Sequence, residues 1–141
     1  KRSGHIINLS SVAGHKLFGG SAVYSATKFA VRGFTDSLRA EHRIRGIKNV
    51  TVHTVHPGAV ATNITLNADH HNTSTRRFHE DLQRGTSPAD AARIILKGVR
   101  KNTARIMISD GRAQDILARL LPTSYVPVIR AIMRMRKIEV R

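Results

Sequence analysis

Residues 4–28 read GHIINLSSVAGHKLFGGSAVYSATK, and the order of patterns within them decides the fold. Gly4 to Ser10 is a short apolar run rich in isoleucine and without strict alternation. Such a run suits a strand covered on both faces, as in a parallel sheet. Ser11 to Ser21 contains Gly14, Gly19 and Gly20 and reads as a loop. From Ala22 to about Arg45 the pattern turns helical. Phe29, Phe34, Leu38 and Ile44 supply apolar positions, and Arg39, Glu41, His42, Arg43 and Arg45 supply polar ones. Ser21 is placed to cap this helix and Gly46 to end it.

Val50 to His56, VTVHTVH, is rich in β-branched residues and reads as a second strand, stopped by Pro57-Gly58. Strand, long helix and strand make a βαβ unit, for which a parallel pair is the default. The fold class expected is therefore α/β with a parallel sheet. Residues 63–86 form a polar stretch with little periodicity, of a length that in compact domains is often a lid or binding loop. Ser87-Pro88-Ala89-Asp90 then opens a helix, with serine at the cap, proline in the first turn and a carboxylate beside them. Ala92, Ile95, Leu96 and Val99 give that helix its apolar face. Arg105 to Ser109 reads as a third strand, Asp110-Gly111 as a turn, and Ala113 to Leu121 as a short helix ending at Pro122. A last basic helix is expected from about Val126.

The 141 residues suffice for one domain, and 40% hydrophobic content is ordinary for a globular chain. Apolar runs never reach about 18 residues, so no membrane-spanning helix is expected. Lys1-Arg2 followed by polar interruptions at Asn8 and Ser10 does not match a signal peptide; a cytoplasmic location is expected. The absence of cysteine excludes disulfides, thiol catalysis and zinc–thiolate sites together.

The net charge of +15 arises from 24 basic residues, 17 of them arginine, against nine acidic ones. Such a balance raises nucleic acid or an anionic membrane as partners. The arginines are dispersed, however, and few aromatics interleave with them for base stacking, which favours solvated helix faces over nucleic acid. Only the tail, residues 122–141, concentrates charge, from Arg130 onward. Its run from Pro127 to Lys137 is apolar and basic enough to lie on an anionic membrane surface. His70, His71 and His79 raise a metal site, but adjacent histidines seldom share one ion and no acidic cluster stands beside them. No metal is expected.

Tyr24 and Lys28 stand four apart, just over one helical turn, so both project from one face. Ser11 lies thirteen positions before Tyr24, at the end of the first strand. A phenol, an ammonium and a hydroxyl can therefore meet beyond a strand end. Only about one free phenol in a thousand is ionised at neutral pH, and a cation held one turn away favours the ionised form. Such a group can exchange a proton with an alcohol or a forming alkoxide.

Three segments occur together: the strand Gly4–Ser10 with Ser11 before a glycine loop, Tyr24-Ser25-Ala26-Thr27-Lys28, and Pro57-Gly58-Ala59-Val60-Ala61-Thr62 after the second strand. In this combination the chain resembles the short-chain dehydrogenase/reductase family, whose members transfer hydride between NAD or NADP and a carbonyl or alcohol. The resemblance covers residues 4–62, and the helix and strand from Ser87 to Ser109 in order and spacing. It implies that Tyr24 is the general acid/base, that Ser11 orients the substrate oxygen, and that Lys28 binds the nicotinamide ribose hydroxyls. Pro57, Gly58, Val60 and Thr62 would run beside the nicotinamide, with Val60 and Thr62 holding its carboxamide or the diphosphate. Residues 63–86 would be the substrate-binding loop, and Leu17 and Phe18 would wall an apolar pocket for a small carbonyl or alcohol. Ser10 is expected to be structural, and His56, which ends the second strand near the cofactor, positional rather than catalytic.

The family's Thr-Gly-x-x-x-Gly-x-Gly turn and its Asn-Asn-Ala-Gly segment do not occur in the 141 residues. The resemblance therefore implies that the parallel sheet is doubly wound and that residues 1–141 are the C-terminal, catalytic part of one Rossmann-like domain, the last three strands with their helices. It also implies an unpaired edge beside the first strand, an uncovered flank on the long helix, and a homo-oligomer for the intact enzyme.

Overall fold

A computed structural model describes residues 2–15, 22–66, 73–109, 111–124, 126–128 and 131. Its elements are β1 (Gly4–Leu9), a single 3-10 turn (Val12–Gly14), α1 (Ala22–Ile44), β2 (Val50–Pro57), α2 (Thr73–Gln83), α3 (Pro88–Arg100), β3 (Arg105–Ile108) and α4 (Gly111–Leu120). The strands form one parallel sheet in the order β1-β2-β3. Asn8, Thr54 and Arg105 lie in register across it, as do Leu9, Val55 and Ile106. All three strands thus run the same way, and their C-terminal ends share one rim.

The helix ends follow the chemistry of their residues. At the C-terminus of α1, Gly46 takes a φ of 65°, a left-handed conformation that glycine adopts without a Cβ clash. The amide of Ile47 then donates to the His42 carbonyl at 2.8 Å, satisfying one of the orphaned acceptors of the last turn. At the other cap read from sequence, Ser87 Oγ accepts from the Asp90 amide at 3.1 Å, with Pro88 beginning α3.

Side-chain alternation puts α1 and α3 on opposite faces of the sheet. Val55, Ile106 and Ile108 face α3 and pack with its Ala91 and Val99 into the buried apolar core, flanked by Val60 and Ile95. Asn8, Thr54 and Arg105 point to the other face. There Asn8 Nδ2 donates to Thr35 Oγ1 of α1 at 3.0 Å, and Arg105 pairs with Asp36 of α1 at 2.6 Å.

Two expectations from sequence are corrected here. β1 is not covered on both faces: His5, Ile7 and Leu9 alternate with half-buried neighbours and are exposed, Leu9 at 59%. The core of α3 lies over β2 and β3, which leaves the same face of β1 open. Nor do the polar positions of α1 all face solvent: Arg39 and His42 are half-buried and reach the Val52 and Val50 carbonyls of β2. Phe34 and Ile44 are 65% and 85% exposed, whereas Ser25 and Thr35 are buried. Among the described residues β1 pairs only with β2, so its other edge is open.

The polar stretch 63–86 contains a helix, α2, which its strongly polar composition concealed. Its C-terminal end is tied back to the segment after β2. Gln83 Nε2 donates to the Thr62 carbonyl at 3.0 Å, and Val60 and Thr86 form a parallel bridge. Helical residues 126–128 match the start of the expected last helix, while residues 132–141 lie outside the described residues. No described helix is long and apolar enough to cross a membrane.

Candidate functional site

The candidate residues gather at the C-terminal rim of the sheet, where open α/β sheets bind their ligands. Ser11 stands two residues beyond the end of β1 and caps the 3-10 turn, its Oγ accepting from the Ala13 amide at 3.1 Å. Its carbonyl accepts twice, from the Gly14 amide at 2.9 Å and from His56 Nδ1 at 3.0 Å. Both carbonyl lone pairs and one hydroxyl lone pair are thereby committed, while among the described residues the hydroxyl proton has no acceptor and can donate.

Tyr24 and Lys28 stand on the first two turns of α1. Lys28 Nζ lies 5.6 Å from the centroid of the Tyr24 ring and donates to the Leu9 carbonyl, at the end of β1, at 3.3 Å. The Lys28 carbonyl receives Ser10 Oγ at 2.9 Å. The turn approaches α1 so closely that a Cβ on Gly14 would fall 2.9 Å from that same carbonyl oxygen, which accounts for glycine at this position. Ser10 is thus the bolt between the turn and the helix, as its expected structural role requires. Lys28 keeps two of its three ammonium hydrogens, and the Tyr24 side chain is half exposed.

Pro57 ends β2, and the Gly58 amide donates to the Ile108 carbonyl at 3.2 Å. Ala61 and Thr86 continue the parallel bridge through a 2.9 Å amide bond. Gly58, Val60 and Thr62 therefore lie on a braced segment beyond the middle strand, all half-buried. Leu17 and Phe18 lie outside the described residues, as do His70 and His71. His79 bonds the Thr65 hydroxyl at 2.6 Å. Among the described residues no group of three His, Asp or Glu side chains is placed to hold a metal ion. A groove of about 490 Å3 lined by Asp36, Arg39, Arg43 and Arg105 lies between α1 and the start of β3.

Behind Ser11 lies a polar cluster that the motifs did not reveal. The rings of His15 and His56 stack with centroids 3.9 Å apart, and both residues are buried. Arg32 of α1 donates to the Gly14 carbonyl at 2.9 Å. Burial lowers His15 to a pKa of about 3, aided by His56, Arg32 and Arg105, and it lowers His56 to about 4. Asp115 Oδ1 of α4 is 2.8 Å from His15 Nδ1, a distance at which a carboxylate usually favours imidazolium. Here the contact is not aligned as a hydrogen bond, and Asp115 also pairs with Arg119 at 2.9 Å. Burial prevails. Neither half of this cluster carries a local signal, since His15 and His56 meet only through the parallel pairing of β1 and β2.

Comparison with known proteins agrees with this architecture. Residues 1–73 match the family model described as short chain dehydrogenase. A Mycobacterium tuberculosis protein named as an oxidoreductase, SadH, is 39% identical over 135 residues, 91% of this chain and 48% of its own length. A Drosophila melanogaster protein named dehydrogenase/reductase SDR family protein 7-like is 37% identical over 126 residues, covering 87% of this chain and 38% of itself. The crystal structure of a Burkholderia phymatum short chain dehydrogenase/reductase in complex with NAD superposes with a TM-score of 0.71 at 21% identity, over 85% of this chain and 48% of that one. A Sphingobium yanoikuyae short-chain dehydrogenase in complex with NADPH gives 0.59 at 18% identity, over 97% and 46%. These structures share the fold, and the chain spans about half the length, or less, of the relatives it matches. With the family model matching more than half of its residues, the chain belongs to the short-chain dehydrogenase/reductase family.

Proposed function

We propose that this chain carries the catalytic half of a nicotinamide-dependent dehydrogenase acting on a small carbonyl or alcohol, with Tyr24 as general acid/base. The observation that supports it most is the joint anchoring of Lys28. Its ammonium is tied to the end of β1, its carbonyl to Ser10, and its charge sits beside the Tyr24 ring. An ammonium with two spare donors, a half-exposed phenol and a serine hydroxyl with a spare proton fit a ribose diol and a substrate oxygen.

When bound, NAD or NADP would supply or accept the hydride at the substrate carbon. Tyr24 gives its proton to the oxygen of a carbonyl being reduced, or takes one from an alcohol being oxidised. Ser11 donates a hydrogen bond to that same oxygen from a position fixed before substrate arrives, where pre-positioned donors are most effective. Lys28 holds the ribose hydroxyls and keeps positive charge beside the phenol. Pro57, Gly58, Val60 and Thr62 line the nicotinamide with braced backbone, and residues 63–86 close over the substrate. The relatives in complex with NAD and with NADPH support a nicotinamide cofactor in general.

Replacing Tyr24 with Phe tests the assignment. Turnover of NAD(P)H with a carbonyl panel is expected to fall by about 100- to 10,000-fold. Cofactor binding, followed by nicotinamide fluorescence, is expected to persist. Full turnover in the variant removes Tyr24 from the mechanism.

A further inference from the structure

The Ser11 carbonyl is an acceptor only, so the 3.0 Å contact requires His56 to carry its proton on Nδ1 and donate it. That bond joins the end of β2 to the turn that follows β1. Among the described residues it is the one side-chain bond to the Ser11 carbonyl, and it fills the second lone pair that the Gly14 amide leaves open. His56 Nε2 is buried without a partner, as is Nε2 of His15. An imidazole held by a single hydrogen bond can rotate out of it. The His15 ring, its centroid 3.9 Å away and tilted by 43°, packs against the His56 ring and restricts that rotation. His15 is in turn flanked by Asp115 from α4. The remaining charges facing the pair are Arg32 and Asp36 from α1 and Arg105 from β3.

From this geometry we infer that His56 is a positioning residue for Ser11, its tautomer set by the Ser11 carbonyl and its ring packed against that of His15. The inference rests on the role given to Ser11 above. The His56 bond fixes the Ser11 backbone, the 3-10 turn fixes its side-chain oxygen, and the hydroxyl proton is left to rotate toward a substrate oxygen. A neutral pair suffices for this, since a second ring proton would have no acceptor in the buried space. Loss of the bond lets the turn shift, and displacements of about an ångström at a reacting centre cost on the order of 100-fold in rate.

Three measurements on the full chain test the inference. In the wild type, 15N chemical shifts of the imidazoles should report His56 protonated on Nδ1; protonation on Nε2 overturns it. His56→Leu, which removes the donor, should lose about 10- to 100-fold in kcat with the cofactor KM unchanged. His56→Asn, whose amide reaches the Nδ1 position, should recover most of that loss. Equal impairment of the two variants, or none in either, overturns it. Amide exchange of Ala13 and Gly14 should accelerate in the leucine variant and not in the asparagine variant; unchanged protection in both overturns it. The imidazole shifts and the exchange rates do not depend on turnover, so a failure of the Tyr24 assignment would be seen in the Phe variant alone.

Discussion

The two faces of the sheet are held by different chemistry. Toward α3, the contact is dry: Val55, Ile106 and Ile108 meet Ala91 and Val99, and Gly98 brings the helix backbone against Ile106. Toward α1, it is a lattice of hydrogen bonds. Thr35 takes the Asn8 amide, Arg39 reaches the Val52 carbonyl at 2.5 Å, His42 reaches the Val50 carbonyl at 3.2 Å, and Asp36 pairs with Arg105. Apolar burial is non-directional, and it sets how firmly two elements adhere. Hydrogen bonds contribute less net energy but restrict angle and register. The difference teaches where this fold keeps its precision. The α1 face carries Tyr24 and Lys28 and runs into the His56–Ser11 contact, so the directional interactions lie on the side that aims the candidate site.

The largest effect should come from thinning the dry face. Ile108 is 1% exposed in the middle of that cluster, and Ile108→Ala is expected to destabilise the chain by about 2–5 kcal/mol in urea unfolding. Thr35→Val nearly preserves volume on the other face but strands the Asn8 amide, at a cost of about 1–3 kcal/mol. Should the valine variant be the less stable of the two, adhesion would belong to the polar face and the comparison would be reversed.

Much of this division was legible beforehand, and the illegible part has a physical reason. β2, α1 and α3 were readable because β-branched runs, helical spacing and caps such as Ser87 act within a few residues. The spacing of Ser11, Tyr24 and Lys28 was readable because a motif is local to strand, turn and helix. Which stripe of α1 faces the sheet was not. Phe34 and Ile44 look like core, yet the sheet presents Asn8, Thr54 and Arg105 there and selects the polar stripe instead. α2 escaped because Thr73–Gln83 is mostly polar, with only Phe78 and Leu82, four apart, to mark a helical face. The His15–His56 stack escaped because it exists only once two strands are paired in register.

Acid should weaken the polar face ahead of the dry one. His15 and His56 have an ordinary pKa of 6.5 when unfolded and values lowered by burial to about 3 and about 4 when folded. Between these values the unfolded chain binds more protons, so stability rises with pH and falls as pH drops below 6.5. Each histidine should cost about 1 kcal/mol between about pH 6.5 and about pH 5.5, and the decline should continue toward the folded values. Urea midpoints measured across that window should fall in the wild type, and should fall by about half as much in His56→Asn. A flat wild-type profile would mean that the pair is not held neutral by burial.

The smallest effect belongs to the bolt between the turn and α1. Ser10→Ala removes the hydroxyl that meets the Lys28 carbonyl, and the expected loss is about 1 kcal/mol. Ser87→Ala, which removes the cap of α3, should lose a similar amount. Total stability therefore does not separate the two sites, but coupling does. Arg32→Met releases the Gly14 carbonyl, at the other end of the turn that Ser10 holds. If that turn moves as one unit, Ser10→Ala and Arg32→Met should interact by about 0.5 kcal/mol or more in a double-mutant cycle. Ser87→Ala and Arg32→Met have no shared partner and should add to within about 0.5 kcal/mol. Additivity in both cycles would make the turn a set of separate contacts, and the polar face would then aim Ser11 through the His56 bond alone.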